Sequence, residues 1–409
     1  MRRFAQALSM IVALLLGTTS AGVWWVARGM PEAWTIVVQQ RDGNLLLVDE
    51  QGRTRPLTSD ANGSTLIYRF PTPAPDGRSV AAVTLRHTSA SIVSTLTIHR
   101  LDGEPLTLYD QPNSHPFYLS WSPDSRRLAF LANDPTGMTL HGVPLAAPDQ
   151  AMSIAPGEPS YFSWSPNSQQ LLLHIGGGAP SGSLQLYDWG ATEPRALPAA
   201  PALFQAPGWL PEGQQALVVI RESSGPALVT IDGQGSVQRR LASVDENTLF
   251  VTAPDARHIA YLTFADDALG ELHILRAADG DDQTIKSGVL TCFWSPAGDA
   301  LAFLTLAARG ETETISLAQE RLRMRWNVLT LRDGDIRSFD LFTPSEEFLD
   351  LLPFFDQYAQ SIRVWDRTGS RLLYASTSGV YSLDVASGQT QLVSQGVLGL
   401  WLDSAKERP

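Results

Sequence analysis

A short module recurs along this chain at a nearly constant spacing. It reads W-S-P-D-S-R-R-L-A-F at residues 121–130 and W-S-P-N-S-Q-Q-L-L-L at residues 164–173. Six copies are anchored by Pro75, Pro123, Pro166, Pro211, Pro254 and Pro296, and a seventh carries Arg367 in the proline position. Successive anchors are 48, 43, 45, 43, 42 and 71 residues apart. Repetition at this length predicts an array of similar structural units.

Each copy has the sequence pattern of four β-strands. Apolar and small residues alternate over residues 117–121, which is typical of a strand. Pro followed by Asp or Asn then predicts a tight turn. The fully apolar run at residues 128–131 predicts a strand buried on both faces, and two further strands follow in each copy. Four-stranded antiparallel sheets repeating at this period predict an all-β fold, the β-propeller.

The two ends of the chain predict how the ring of sheets closes. Residues 34–39, 44–49 and 54–57 have the pattern of second, third and fourth strands with no first strand before them. Residues 397–402 have the pattern of a first strand. Pairing the two ends in one blade would remove two free sheet edges. We therefore expect eight blades of four strands, with one blade shared by both termini; the chain length also allows seven.

Tryptophan and proline occupy equivalent positions in the copies. We interpret the tryptophans as large apolar plugs between adjacent blades; the alternative is that they stack on a ligand. The structural repeat residues are Trp121, Pro123, Trp164, Pro166, Trp209, Pro211, Trp294, Pro296, Trp365 and Trp401.

The pattern W-S-P-D-G-x-x-(I/L/V)-A-F resembles the WD40-like, or PD40, repeat of the TolB-like β-propeller family of bacteria. The resemblance covers nearly all of residues 33–403 and is specific for fold but not for activity. TolB itself carries an α/β domain before its propeller, and five residues separate Arg28 from the first predicted strand, so we do not expect this chain to be TolB. Peptidases with similar propellers carry an α/β-hydrolase domain after them, which we also do not expect here.

The N-terminal segment, residues 1–30, is predicted to be a signal-anchor with one transmembrane helix. Residues 4–27 form an uncharged segment that is long enough to span a bilayer. Arg2 and Arg3 precede this segment. The positive-inside rule then places the N-terminus in the cytoplasm and the propeller outside, in the periplasm or the extracellular space. The alternative is a signal peptide cleaved near Ala21, which would give a secreted propeller.

Charge and motifs limit the classes of function. The net charge is −12 and no basic stretch is interleaved with aromatic residues, so we do not expect nucleic acid as a partner. Motifs of serine hydrolases, nucleotide-binding loops and zinc proteases are absent from the sequence. The seven histidines are scattered along the sequence, without the spacing of metal ligands. Acidic turns such as residues 279–282 are more typical of β-hairpin turns than of calcium-binding loops. We therefore expect no catalytic residue, no metal and no cofactor, and a chain that is not an enzyme.

Two insertions interrupt the repeat, at residues 307–325 and 343–359. The first separates the second and third strands of its blade, and the second follows that blade's last strand. Because the chain reverses at each turn, both insertions emerge on one face of the ring. Aromatic and Arg side chains are enriched at interface hot spots, so we predict that this sector binds an envelope protein. The candidate partner-binding residues are Phe354, Phe355, Asp356, Tyr358, Arg321, Arg323 and Arg325. The alternative is that the second insertion only caps the blade edge as a small core.

The domains predicted from the sequence are the segment 1–30, a propeller over residues 31–403 and a polar tail over residues 404–409. The expected function is that of a membrane-anchored, extracytoplasmic and non-catalytic protein-interaction module, held in the membrane through residues 4–27. The alternative function is a propeller enzyme, or a binder of a small ligand or metal, that uses the central channel.

Overall fold

The computed structural model of the protein describes residues 34–178, 180–264, 269–307 and 322–402. The predicted anchor at residues 1–30, the tail at 404–409 and most of the insertion at 307–325 lie outside this part of the chain. No helix formed by the described residues is long and apolar enough to cross a membrane.

The described residues form seven antiparallel sheets. Five of these have four strands each: β1 (Trp34–Gln39), β2 (Leu45–Asp49) and β3 (Thr54–Pro56) with β30 (Leu398–Trp401); β4 (Leu66–Pro73), β5 (Ser79–His87), β6 (Ile92–Arg100) and β7 (Leu106–Tyr109); β8 (His115–Trp121), β9 (Arg127–Asp134), β10 (Gly137–Pro144) and β11 (Met152–Pro156); β12 (Ser160–Trp164), β13 (Gln170–Ile175), β14 (Ser183–Asp188) and β15 (Arg195–Ala196); and β16 (Gly208–Trp209), β17 (Gln215–Glu222), β18 (Gly225–Asp232) and β19 (Val237–Ser243).

The other two sheets have seven and three strands. The seven-stranded sheet contains β20 (Thr248–Thr252), β21 (His258–Thr263), β22 (Gly270–Arg276), β23 (Asp282–Trp294), β24 (Ala300–Leu306), β25 (Met324–Thr330) and β26 (Ile336–Phe342), and the three-stranded sheet contains β27 (Arg371–Ser376), β28 (Gly379–Asp384) and β29 (Thr390–Ser394). Short helices lie at Glu346–Leu349 and Phe355–Tyr358, and 3-10 turns at Pro148–Gln150 and Leu352–Phe354.

The seven-stranded sheet holds two copies of the repeat. Strand β23 is 13 residues long; its first part pairs with β22 and its last part with β24. It therefore serves as the last strand of one copy and the first strand of the next. In the three-stranded sheet, Trp365 forms an isolated bridge to Leu372 at the place of a first strand. The seven sheets thus correspond to eight copies of the repeat.

The termini share a sheet, as the sequence predicted. Strand β30 pairs antiparallel with β1, with Ile36 opposite Trp401 and Gln39 opposite Leu398. The pairing covers an edge of each strand that would otherwise expose unpaired backbone groups.

First strands of neighbouring sheets approach one another, as β4 does with β8 and β12 with β16. Second strands such as β9 are buried over nearly their whole apolar run, because sheet faces pack against the adjacent sheets on both sides. The first strands consequently surround the central channel, and the core lies between the sheets.

The tight turn of each copy places one residue in the left-handed region of backbone conformation. The residues at this position are Gly77, Ser125, Ser168, Gly213, Ala256, Gly298 and Gly369, with φ between 56° and 72°. The two serines also link neighbouring turns, because Ser125 Oγ accepts from Asp76 N and Ser168 Oγ accepts from Asp124 N, both at 3.0 Å. The Gly or Ser of the repeat therefore reflects backbone geometry, and the serines add a contact between blades.

The tryptophans of the repeat lie between sheets and donate directional hydrogen bonds. Each indole Nε1 donates to a main-chain carbonyl of the preceding copy of the repeat, at 2.9 to 3.3 Å: Trp121 to Thr72, Trp164 to Ser120, Trp209 to Ser163, Trp294 to Val251, Trp365 to Phe293 and Trp401 to Val364. Apolar filling and a hydrogen bond thus act together at these junctions.

Candidate functional site

The second insertion crosses the central channel. We call residues 345–362 the plug. Ser345 begins its first helix, because Ser345 Oγ accepts from Phe348 N at 3.3 Å and also donates to Val397 O at 2.5 Å. The helix Glu346–Leu349 therefore follows directly after Ser345. From there the chain runs across the first strands of the ring.

Gln357 fixes the plug to the wall of the channel. Its Nε2 donates to Phe162 O at 2.7 Å, and its Oε1 accepts from Phe162 N at 2.9 Å. The side-chain amide therefore satisfies both backbone groups of one residue in β12, as a neighbouring strand would. Tyr118 of β8 joins this contact, since its hydroxyl accepts from Gln357 Nε2 at 2.8 Å and donates to Gln357 O at 2.9 Å. Two first strands are thus tied to one side chain of the plug.

Asp356 lies next to Gln357 at the centre of the ring and is 1% exposed. Its Oδ2 accepts from Ala206 N at 2.6 Å, and its Oδ1 accepts from Gln357 N at 2.9 Å. Burial penalises the charged carboxylate and raises the pKa of Asp356 to about 6, although these hydrogen bonds oppose the shift. Burial, with a smaller contribution from this carboxylate, also raises the pKa of the Cys292 thiol.

The structure separates the residues that the sequence grouped as partner-binding. Phe355 and Asp356 are buried, and Tyr358 is half-buried with its ring edge-on to Tyr118 at a centroid distance of 5.2 Å. Phe354 is 48% exposed. Two of the predicted aromatic and acidic positions therefore face the interior of the ring.

Of the three arginines predicted with them, Arg321 lies outside the described residues. Arg323 is half-buried and donates through Nη2 to Leu341 O at 3.4 Å. Arg325 is half-buried within β25. Partner binding by this set remains a prediction, and among the members that the structure describes Phe354 has the most accessible side chain.

An apolar groove of about 520 Å³ lies beside the plug. Its wall is built by both insertions, since Leu322 and Met324 come from the end of the first, and Leu352 and Phe355 from the second. It adjoins a second cavity of about 800 Å³, with which it shares Leu290 and Leu322. Volumes of this order are typical of ligand sites.

Exposed apolar side chains mark the rim of this groove. Phe204 is 46% exposed and Leu322 is 45% exposed, and both line the groove. Phe204 also has a positive φ of 24°, which an aromatic residue adopts only under strain. Sequence reasoning missed Phe204, because it stands in an irregular linker before β16 where no repeat or motif points to it. Leu322 belongs to the insertion at 307–325 but was not singled out.

Side chains of the kinds used by hydrolases also come together just before β8 and on β9 and β10. Ser114 Oγ donates to Asp134 Oδ1, and His141 Nε2 contacts Asp134 Oδ2 at 2.8 Å. The carboxylate therefore lies between the hydroxyl and the imidazole, so this histidine cannot take the proton of Ser114. A similar grouping recurs where Tyr261 and His273 contact Asp282, which indicates a structural network of the blades.

Among the residues that the structure describes, no three or more His, Cys, Asp or Glu side chains are grouped so as to hold a metal ion.

Comparisons with known proteins show the fold. No family model matches the chain, and no curated protein matches it. A prolyl endopeptidase structure is similar with a TM-score of 0.54 and 14% identity, over 80% of this chain and 49% of that chain. TolB from Acinetobacter baumannii is similar with a TM-score of 0.38 and 16% identity, over 65% of this chain and 67% of that chain. The similarity to the prolyl endopeptidase, together with the seven antiparallel sheets, shows that the chain has a β-propeller fold.

A third similar structure is the periplasmic gluconolactonase of Pseudomonas aeruginosa, with a TM-score of 0.46 and 15% identity, over 76% of this chain and 96% of that chain. The similar structures therefore include enzymes. Because a prolyl endopeptidase with a TM-score above 0.5 shares this fold, the prediction that the chain is not an enzyme, which rested on missing sequence motifs, is contradicted. Propellers can build a catalytic site from residues that are distant in sequence, so missing motifs do not exclude catalysis.

Proposed function

We propose that the protein is an extracytoplasmic propeller of eight PD40-type blades that binds an apolar ligand in the groove beside the plug. The single observation that carries this proposal is the groove itself, an apolar cavity of about 520 Å³ built by both insertions. The uncharged run at residues 4–27 behind two arginines supports export and anchoring in the membrane.

Exposure of large apolar groups at the groove supports binding. Phe204 and Leu322 line the groove and each leave nearly half of their surface in water, although burial of apolar surface stabilises a protein by about 25 cal/mol per Å². Clustered exposed apolar side chains in a folded protein are typical of interaction sites. A ligand seated there would remove this surface from water without disturbing the core.

The plug favours the groove over the channel as the binding site. Gln357 and Asp356 fill the axis and are hydrogen-bonded to Phe162 and Ala206 of the wall. A ligand on the axis would have to displace these contacts, whereas the groove lies beside them. A catalytic step on a ligand bound in the groove is compatible with the occurrence of this fold in enzymes.

A neutral apolar fluorescent dye, N-phenyl-1-naphthylamine, tests the proposal with the full chain. The variant Leu322→Lys places a charge at the groove, and Leu392→Lys places one at an equally exposed leucine on β29 that does not line the groove. We expect saturable binding by the native protein, a loss of at least about 5-fold in affinity for Leu322→Lys, and no change for Leu392→Lys. Equal behaviour of the two variants, or no saturable binding, would refute the proposal.

A further inference from the structure

The two adjoining cavities differ in charge. The groove is lined by apolar residues and Asn247, whereas the second cavity carries the carboxylates of Asp245 and Glu271. No Lys or Arg is present among the described residues that line either cavity. An apolar floor thus continues, through the shared Leu290 and Leu322, into an acidic region.

The acidic residues nearby divide into paired and unpaired ones. Glu246 contacts Arg221 Nη2 at 2.9 Å and Glu222 contacts Arg240 Nε at 3.1 Å. Asp245 and Glu271 are exposed, and within the described ranges neither forms an ion pair. Both carboxylates line the cavity, and no ion pair within the described ranges offsets their charges.

We propose that the groove and the acidic cavity together bind an extended peptide segment of another protein that is both apolar and basic. Apolar side chains of this segment enter the groove, and a Lys or Arg beside them lies against Asp245 and Glu271. This inference rests on the proposed function and specifies the ligand.

Size and charge favour a peptide over a membrane surface. Each cavity alone has the volume of a small-molecule site, and the two share Leu290 and Leu322, so together they offer more room than a small molecule needs. Carboxylates at the site, in a chain of net charge −12, repel anionic lipid headgroups and attract cations.

The test uses the full chain and three synthetic peptides of equal length, measured by fluorescence anisotropy. The first peptide combines Trp and Leu with Lys; the second replaces Lys by Glu; the third keeps Lys and replaces Trp and Leu by Ser. We expect the apolar, basic peptide to bind most tightly, with an affinity that falls as salt is raised.

The double variant Asp245→Asn/Glu271→Gln should weaken the apolar, basic peptide by about 5- to 10-fold and remove most of its salt dependence. The matched control is Glu104→Gln/Asp335→Asn, which neutralises two exposed carboxylates outside both cavities and should change nothing.

The outcomes separate this inference from the proposed function. If the apolar, acidic peptide binds as well as the apolar, basic one, or if the double variant behaves like its control, the inference is overturned and the groove remains a ligand site. Stronger binding to vesicles of phosphatidylcholine and phosphatidylglycerol than to any peptide would also overturn it. If no apolar peptide binds and Leu322→Lys leaves dye binding unchanged, the proposed function fails as well.

Discussion

The indole Nε1 of Trp121 donates a hydrogen bond of 2.9 Å to the carbonyl oxygen of Thr72, which lies on the first strand of the preceding sheet. The same bond recurs at five other tryptophans of the repeat. Each one joins the indole of one copy of the repeat to the backbone of the preceding copy. The repeat motif therefore encodes the junction between blades as well as the turn within a blade.

Replacing Trp121 by Phe should destabilise the protein. The change removes the donor to Thr72 O and leaves a buried carbonyl with one partner fewer, in addition to losing part of the packing. We expect a loss of about 2 kcal/mol in the free energy of unfolding, measured by urea denaturation.

Trp326 provides the matched control for that experiment. It is equally buried, but its Nε1 has no acceptor within the described part of the chain. Trp326→Phe removes a donor that has no acceptor. We therefore expect its loss in the free energy of unfolding to be smaller than that of Trp121→Phe by about 1 kcal/mol or more. Equal losses for the two variants would contradict a stabilising role for the indole hydrogen bond.

Replacing Gln357 by Leu should loosen the plug. Leucine has a similar size but leaves Phe162 N and Phe162 O without their partner, and it also removes the donor to Tyr118. Because each buried unsatisfied group costs about 1–3 kcal/mol, we expect a loss of about 3–4 kcal/mol in the free energy of unfolding, measured by thermal unfolding.

Gln360→Leu is the control variant for Gln357→Leu. The Gln360 side chain is exposed and its Nε2 donates to Pro207 O at 3.1 Å, so the loss in the free energy of unfolding should stay at about 1 kcal/mol.

Asp356 should give the protein a stability component that decreases as pH rises. Its pKa is raised from 3.8 to about 6 on folding, so the folded state binds more protons than the unfolded state between these values. The contribution is fully present below pH 3.8 and is lost as pH rises through 6. The shift corresponds to about 3 kcal/mol.

The variant Asp356→Asn isolates this contribution, because other carboxylates titrate equally in both proteins. The difference in unfolding free energy, native minus variant, should fall between pH 4 and pH 6 and stay constant above about pH 7. A constant offset arises because an amide cannot accept from both Ala206 N and Gln357 N. A difference that does not change with pH would show that Asp356 titrates normally.

The sequence predicted the blades well because their signals are local. Alternating strands, the Pro-Asp turn and the strand at residues 397–402 are visible within a few residues, and sheet closure by β30 follows from counting strands. The plug could not be predicted in this way. Gln357 and Phe162 are 195 positions apart, and a glutamine within an insertion gives no indication that it will satisfy the backbone of a distant strand.

The candidate site was predicted only in part, for a similar reason. The two insertions were expected on one face, and Leu322 and Leu352 do line one groove. The other predicted positions differ in burial, since Phe355 and Asp356 are buried. Phe204 lines the groove, although it lies in a linker without any motif. Which aromatic residues face solvent depends on the path of the chain across the ring, and composition carries no information about that path.

Replacing Ala256 by Gly should stabilise the protein, because Ala256 is held at φ 56° in the turn where other copies have Gly or Ser. A left-handed conformation costs a residue with a Cβ about 1–2 kcal/mol, and the greater freedom of glycine in the unfolded chain offsets part of this. We expect a gain of about 0.5–1 kcal/mol in urea denaturation. Ser125→Gly relieves the same strain at φ 59° but removes the acceptor for Asp76 N, so it should bring no gain. A loss of stability in Ala256→Gly would mean that contacts of the alanine methyl group outweigh the strain.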